Sequence, residues 1–431
     1  MIQTKTILIL LICAFTFALN AQTSYLHCGA LIDGKTNKVQ KEVTIVITGN
    51  KITDIQRGYT KPTESDVTTV DLKDKTVMPG LMDMHVHIEG EYDQNSYLSR
   101  FTLNDADRAF DAVGNAKITL MSGFTTVREL GGSGVNIALR KAIASGDVIG
   151  PRVYTAGKSI AITGGHADPT NGYRKDLLTY PPGPNEGVAD GADECRKAVR
   201  QRVKNGADLI KITATGGVLS VARDGHRPQF TEDEIRAIVS TANDFGIKVA
   251  AHAHGDEGMQ RAVRGGVSSI EHGTMMSEQT MGLMKEYGTY YVPTITAGRA
   301  VADSAKVKGF YPEMVVPKAL EIGPKIQGTF AKAYKKGVKI AFGTDAGVFA
   351  HGKNALEFVY MTEVGMPPME ALQSATMAAA DLLGVTDILG SIEPGKLADI
   401  VAVGDNPLKN IETMLDVKFV MKDGVIYKNN K

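Results

Sequence analysis

Four histidines, one lysine and one aspartate stand where short apolar runs of this chain end. His85 and His87 close a run that begins at Met78, and His252 closes residues 247–251. His272 follows residues 268–271, and Asp345 follows residues 339–344. Lys211 lies inside the apolar segment 208–213. On a strand, residues two apart point to the same side, so His85 and His87 can grip one metal ion at a strand end. Taken singly, each residue has a bland reading. His272 could be a satisfied core histidine, and Asp345 could be a helix N-cap. Lys211 resists such a reading, because a buried lysine is costly unless paired or modified. The chain has only 9 histidines, so placing four of them at strand ends carries information. Imidazole and carboxylate together point first to zinc, with other divalent ions next. Four His and one Asp cannot close two metal sites. A bridging group and a shared water would complete two open ones, and open positions favour catalysis over a structural role.

The elements that must hold these residues are strands alternating with helices. Candidate strands are residues 82–87, 125–128, 152–155, 209–213, 248–252, 269–271, 290–293 and 339–343. Between them run helical patterns. Thr231 and Glu234 form a capping box, Ile235, Ile238, Val239 and Ala242 make one apolar face, and Gly246 closes the helix. The fold class is therefore α/β, a (β/α)₈ TIM-like barrel, whose active site belongs at the C-terminal ends of its strands. Two loops fall on that face, residues 170–191 and 216–229, where long loops commonly select substrate. His166 and His254 lie beside the ligand set. Arg223, His226 and Arg227 sit in the second loop, where one of them could bind a substrate carboxylate. His27 and His351 are read as structural or exposed. Residues 43–48 alternate, turn at Gly49-Asn50 and resume at 51–56, a hairpin. The C-terminal end has the same texture, so both ends should build a small β-sandwich. The expected organisation is 22–78 and 388–431 for that sandwich, with the barrel over 79–387.

The chain has 431 residues, 43% of them apolar, and a formal net charge of zero. Nothing in that balance suggests nucleic acid, which would call for a basic patch. Lys5, the apolar run 7–19 and the small Ala21 read as a secretory signal peptide over 1–21. A membrane span needs roughly 20 apolar residues, more than this run offers. The mature protein is thus expected to be exported, periplasmic or secreted, with no membrane attachment after cleavage. Cys28 and Cys195 remain, and both are read as unpaired and buried. No oligomer interface is legible, and a homo-oligomer stays open.

The motifs Pro79-Gly-Leu-Met-Asp-Met-His-Val-His87, Gly206-Ala-Asp-Leu-Ile-Lys-Ile212, His252-Ala-His254, Ile270-Glu-His-Gly273 and Gly343-Thr-Asp345 resemble those of the amidohydrolase superfamily. The tail from Gly390 to Val401 resembles it too. Thr163-Gly-Gly-His166 and Ala214-Thr-Gly-Gly217 are similar to the group related to imidazolonepropionase, which holds Xaa-Pro, Xaa-Arg and Xaa-Lys dipeptidases and ochratoxin-degrading amidases. The resemblance implies two divalent metals, with a CO₂-derived carbamate on Lys211 bridging them. It assigns His85, His87 and Asp345 to the first metal, and His252 and His272 to the second. It implies cleavage of an amide in a small-molecule substrate, a dipeptide or N-acyl amino acid. A hydroxide shared by the metals would attack, with Asp345 as proton shuttle. His166, in the Gly-rich loop after the third strand, could contact the scissile carbonyl or a substrate carboxylate. The alternatives are cyclic-amide hydrolysis of the imidazolonepropionase type and lactone or phosphotriester hydrolysis. A non-catalytic binding protein is disfavoured by the complete ligand set.

Overall fold

The computed structural model describes residues 22–63, 67–178, 180–222 and 224–430. The expected signal segment 1–21 and Arg223 lie outside the described residues.

Alternating apolar residues at the two chain ends form a single hydrogen-bonded sheet. Its strands are β1 (Thr23–Ile32), β2 (Val39–Thr48), β3 (Lys51–Arg57) and β4 (Val67–Pro79) from the N-terminal side. The C-terminal side supplies three more, Ile400–Val403, Val417–Lys422 and Val425–Asn429, in which Ile400–Val403 pairs antiparallel with β4. β1 sits between β2, antiparallel, and β4, parallel. The sheet curls on itself: Ala398 N–H donates to the Asn50 carbonyl at 2.8 Å, at the turn between β2 and β3. Gly424 approaches that turn so closely that a Cβ would stand 2.1 Å from the Gly49 carbonyl oxygen. Inside the curl, Leu26, Cys28, Ile45, Leu72, Ile400 and Phe419 are buried. The two layers expected of a sandwich are thus two parts of one sheet.

The centre holds parallel strands. β5 (Leu81–Val86), β6 (Phe124–Glu129) and β7 (Arg152–Thr155) form one sheet in that order. β8 (Ile210–Thr213), β9 (Val249–Ala253), β10 (Ser269–His272) and β11 (Tyr290–Val292) form another. Backbone bonds connect the two sheets on both sides. Tyr291 N–H donates to the Lys339 carbonyl (2.8 Å), Met84 N–H to that of Phe342 (2.9 Å), and Asp345 N–H to that of His85 (2.7 Å). On the other side, Asp208 N–H donates to the Thr155 carbonyl (2.8 Å) and Ile160 N–H to that of Lys211 (2.8 Å). Residues 339–343 therefore lie between β11 and β5 as expected of a strand, but without a regular ladder. The chain here pairs with its neighbours through isolated bridges, Tyr291–Ile340 and Val86–Ala346, and packs closely at Gly343, where a Cβ would stand 2.3 Å from Val292 Cγ1. Two residues later the chain turns left-handed, at Asp345 (φ +62).

Helices follow the strands. In Glu232–Asp244, Thr231 Oγ1 accepts from Glu234 N–H (3.3 Å) and Glu234 Oε2 accepts from Thr231 N–H (2.7 Å), the expected capping box. Ile235, Ile238 and Ala242 are its buried face. Arg152, at the start of β7, pairs with Asp399 (2.7 Å) and Asp423 (2.6 Å). This ties the end sheet to the side away from the strand C-termini. Cys28 and Cys195 are unpaired and buried, and burial pushes each thiol up to about 12. His27 Nε2 meets the Thr60 carbonyl (2.9 Å), and His351 lies between Thr119 Oγ1 (3.2 Å) and the His87 carbonyl (3.3 Å), so both are structural. No helix among the described residues is long and apolar enough to cross a membrane.

Candidate metal centre

The C-terminal ends of the central strands meet at one cavity of about 280 Å³. His85, His87, Lys211, His252, His272 and Asp345 all line it. Each histidine uses one ring nitrogen in a hydrogen bond and presents the other. Nδ1–H of His85 donates to Glu271 Oε2 (3.0 Å), and that of His87 to the Gly131 carbonyl (2.7 Å). His272 Nδ1 is 2.8 Å from Thr294 Oγ1. His252 is reversed, with Nε2 on the Gly216 carbonyl (3.1 Å) and Nδ1 left over. Such outer bonds fix tautomer and ring orientation in metal-ligating histidines.

Asp345 Oδ1 lies 3.4 Å from His85 Nε2 and 3.3 Å from His87 Nε2. His85, His87 and Asp345 each offer a ligand atom, all within 4.8 Å of one another. His85 Nε2 and Asp345 Oδ1 are buried without a hydrogen-bond partner. Orphaned buried polar atoms are rare in folded proteins, and a cation between these two satisfies both. The residues therefore fit a metal ion. The His272 ring lies 4.9 Å from that of His85 and 4.7 Å from that of His252, which places a second pair of donors beside the first set. Lys211 Nζ has one long contact, 3.4 Å to the Leu130 carbonyl.

Holding this geometry strains the backbone. His272 (φ +69), Thr294 (φ +54) and Asp345 (φ +62) are left-handed non-glycine residues. Each costs on the order of 1–3 kcal/mol, and such strain clusters at functional sites. Burial drives His85, His252 and His272 well below the usual imidazole range, so they stay neutral, the form that binds metal. Burial also pushes the Asp345 carboxyl up to about 6 and the Lys211 ammonium down to about 8. Against its burial, the Glu129 and Asp345 carboxylates hold the His87 imidazole above its usual range, so at low pH the metal-free protein holds protons on His87 and Asp345 that ligation must displace. Metal affinity is thus expected to fall as pH drops from about 7.5 to about 5, with protons released on binding. Calorimetric titration of Zn²⁺ in buffers of different ionisation enthalpy checks this, and pH-independent affinity would contradict it.

Further residues were not legible as part of the site. Glu271, which orients His85, itself receives Arg128 Nη2–H (2.8 Å) and Ser269 O–H (2.5 Å). Asp83 accepts from Thr344 Oγ1 (2.6 Å) and Asn354 Nδ2 (2.8 Å), tying β5 to the segment carrying Asp345. Charged residues inside apolar strands were the only sequence signal for either.

His166 lies in the cavity with its ring stacked on that of His252, 4.4 Å between centroids, and its Nδ1 is buried without a partner. Gly217 makes room for it: a Cβ there would stand 2.2 Å from the His166 ring. Gly217→Ala is expected to displace that ring and lower kcat/KM roughly 10²-fold, the scale of a 1 Å misplacement. Hydrolysis assays at matched metal content check this. His254 also lines the cavity, with Nδ1 2.9 Å from Thr274 Oγ1. The candidate carboxylate binders of the loop 216–229 fare differently. Arg227 is 82% exposed and pairs with Asp224 (3.1 Å). Neither Arg227 nor His226 lines the cavity, because the loop turns them outward while Val218, Leu219 and Ser220 face in. Residues 170–191 contribute Asn171, Tyr173 and Glu186 to an adjoining outer cleft of about 710 Å³.

A model of the Amidohydrolase family matches residues 76–427. The chain belongs to the amidohydrolase family. Among solved structures, this amidohydrolase is similar to a Xaa-Pro dipeptidase with methionine bound in its active site. The two share 55% identity with a TM-score of 0.92, over 95% of this chain and 100% of that one. A prolidase in complex with N-methylphosphonate-L-proline is 32% identical, TM-score 0.86, with the same coverage. Ochratoxinase of Aspergillus niger is 31% identical over 434 residues, covering 95% of this chain and 87% of its own length. The protein is accordingly an amidohydrolase-type hydrolase, with its barrel-and-extra-domain fold shared by these neighbours.

Proposed function

We propose that this amidohydrolase carries two divalent metal ions, zinc first by its donor set, and cleaves the amide bond of dipeptides, Xaa-Pro foremost, or of N-acyl amino acids. The observation that carries the reading is the convergence of six donor side chains on one cavity, with each imidazole's other nitrogen already committed. The backbone bonds on both sides of the central sheets support one closed (β/α)₈ barrel as its frame. The substrate class is taken from the dipeptidase, prolidase and ochratoxinase relatives.

His85, His87 and Asp345 would hold one ion, His252 and His272 the other, and Lys211 would bridge them. When bound, the ions supply Lewis acidity and a water acidified toward neutrality. Lys211 suits bridging because burial, bringing its ammonium down to about 8, leaves more free amine near neutrality than an ordinary lysine has. The amine nitrogen forms a bond to the carbon of CO₂ and releases one proton, giving a carbamate. Asp345 takes a proton from the attacking water and passes it to the leaving nitrogen, a step an amide needs because an unprotonated amine leaves poorly. His166, stacked on His252, lines the cavity where its imidazole can orient the scissile carbonyl. His254 supports His272, ring against ring at 5.0 Å. The mature protein acts outside the cytoplasm, after cleavage at Ala21.

A screen of dipeptides and N-acyl amino acids against the mature, metal-loaded protein tests the reading. Amide cleavage abolished by chelation is expected. Full metal content without amide cleavage would overturn the substrate class and turn the search to lactones, phosphotriesters or cyclic amides.

A further inference from the structure

We propose that Arg100 receives the carboxylate of the substrate's amino-acid half, so that the site prefers amides whose leaving group carries a free carboxylate. The inference rests on the amide-cleaving reading above.

Among the residues lining the inner cavity, the basic side chains besides histidine are Lys211 and Arg100, and the one carboxylate is Asp345. Lys211 and Asp345 belong to the metal centre, which leaves Arg100 as the uncommitted charge. Arg100 also lines the outer cleft, as do His87, Tyr92, Ser159 and His166, so it stands at the passage between the two spaces. A substrate with its carbonyl at the metal ligands would extend one end toward this passage.

The chain holds Arg100 there by stacking rather than by charge. Its guanidinium lies over the Tyr97 ring, 5.2 Å from the centroid. Tyr97 O–H donates to the Leu219 carbonyl (2.6 Å), and its ring meets Tyr92 edge-on at 6.1 Å. The short helix Ser96–Thr102 is thereby fastened to the loop that follows β8. Among the described residues no carboxylate pairs with Arg100, and its side chain donates no hydrogen bond. A guanidinium stacked on a ring keeps its planar fork free for bidentate recognition of a carboxylate. Of the other cations near this face, Arg108 and Lys158 line the outer cleft but not the inner cavity. Arg227 is paired with Asp224, and Lys318 Nζ donates to the carbonyls of Gly217 (3.1 Å), Ser220 (2.8 Å) and Ala222 (2.8 Å).

The test compares L-alanyl-L-proline with its C-terminal amide as substrates of the metal-loaded wild type, Arg100→Met and Arg100→Lys. Arg100→Met is expected to raise KM for the free acid at least about tenfold with kcat changed less than about threefold, leaving KM for the amide unmoved. Arg100→Lys keeps the charge without the fork and recovers part of the loss. It gives the same acid-specific readout should the methionine variant misfold. An unchanged KM for the acid in both variants would overturn the proposal, and equal damage to acid and amide would assign Arg100 a packing role instead. Calorimetric binding of L-proline against L-prolinamide reads the same contact without turnover. Proline affinity about tenfold weaker in Arg100→Met supports the assignment, and equal affinity overturns it. If the wild type cleaves neither peptide, the Xaa-Pro substrate fails while the role of Arg100 is still decided by the proline titration.

Discussion

Asp345→Asn is expected to lower kcat by roughly 10²–10⁴-fold, the range of a lost acid–base group, at saturating metal. The substitution is close to isosteric and keeps an oxygen beside His85 Nε2 and His87 Nε2, 3.4 and 3.3 Å away in the wild type. It also suits the backbone, because asparagine tolerates the left-handed conformation at this position (φ +62) better than most residues. The bond from the residue's N–H to the His85 carbonyl (2.7 Å) survives, so the fold and most of the metal should too. What disappears is the ability to accept and return a proton. Elemental analysis alongside steady-state kinetics separates this from simple metal loss. Wild-type turnover in the variant would refute the assigned shuttle.

Lys211→Ala should lose metal and at least roughly 10²-fold in activity, since removing a bridging ligand costs more than removing a ligand's outer partner. Lys211 is buried, so truncation leaves a space at the end of β8 between the two sets of donors. Acetate or propionate can enter that space and supply a carboxylate where the proposed carbamate would stand. Partial recovery of metal and activity with added short acids is therefore expected. Lys211→Met fills the space instead, and should lose metal without being rescued. Full metal content in Lys211→Ala without added acid would sink the bridging role.

The candidate donor residues were legible because an α/β barrel pattern puts its chemistry at strand C-termini, and apolar runs mark where strands end. His85, His87, Lys211, His252, His272 and Asp345 were found that way, and the structure gathers them in one cavity. The residues that orient them were hidden, because their partners come from distant strands. Arg128 on β6 reaches Glu271 on β10 across 143 positions, and no local pattern announces such a pair. The left-handed turns at His272 and Thr294 were equally silent, since sequence marks such turns chiefly through glycine or asparagine. Arginines in the loop 216–229 drew attention by position, yet Arg227 turns to Asp224, whereas Arg100, on a helix too short to leave a periodic signal, faces the cavity. The apolar run 339–343 was visible in sequence, but in the fold the chain there pairs with β11 and β5 only through isolated bridges.

Metal content of the mature protein, measured together with dipeptide cleavage before and after chelation, tests the central claim most directly. Two ions per chain are expected, with cleavage lost on chelation and restored by zinc and bicarbonate together. About one ion per chain, or cleavage that persists without metal, would contradict the bridged two-metal centre.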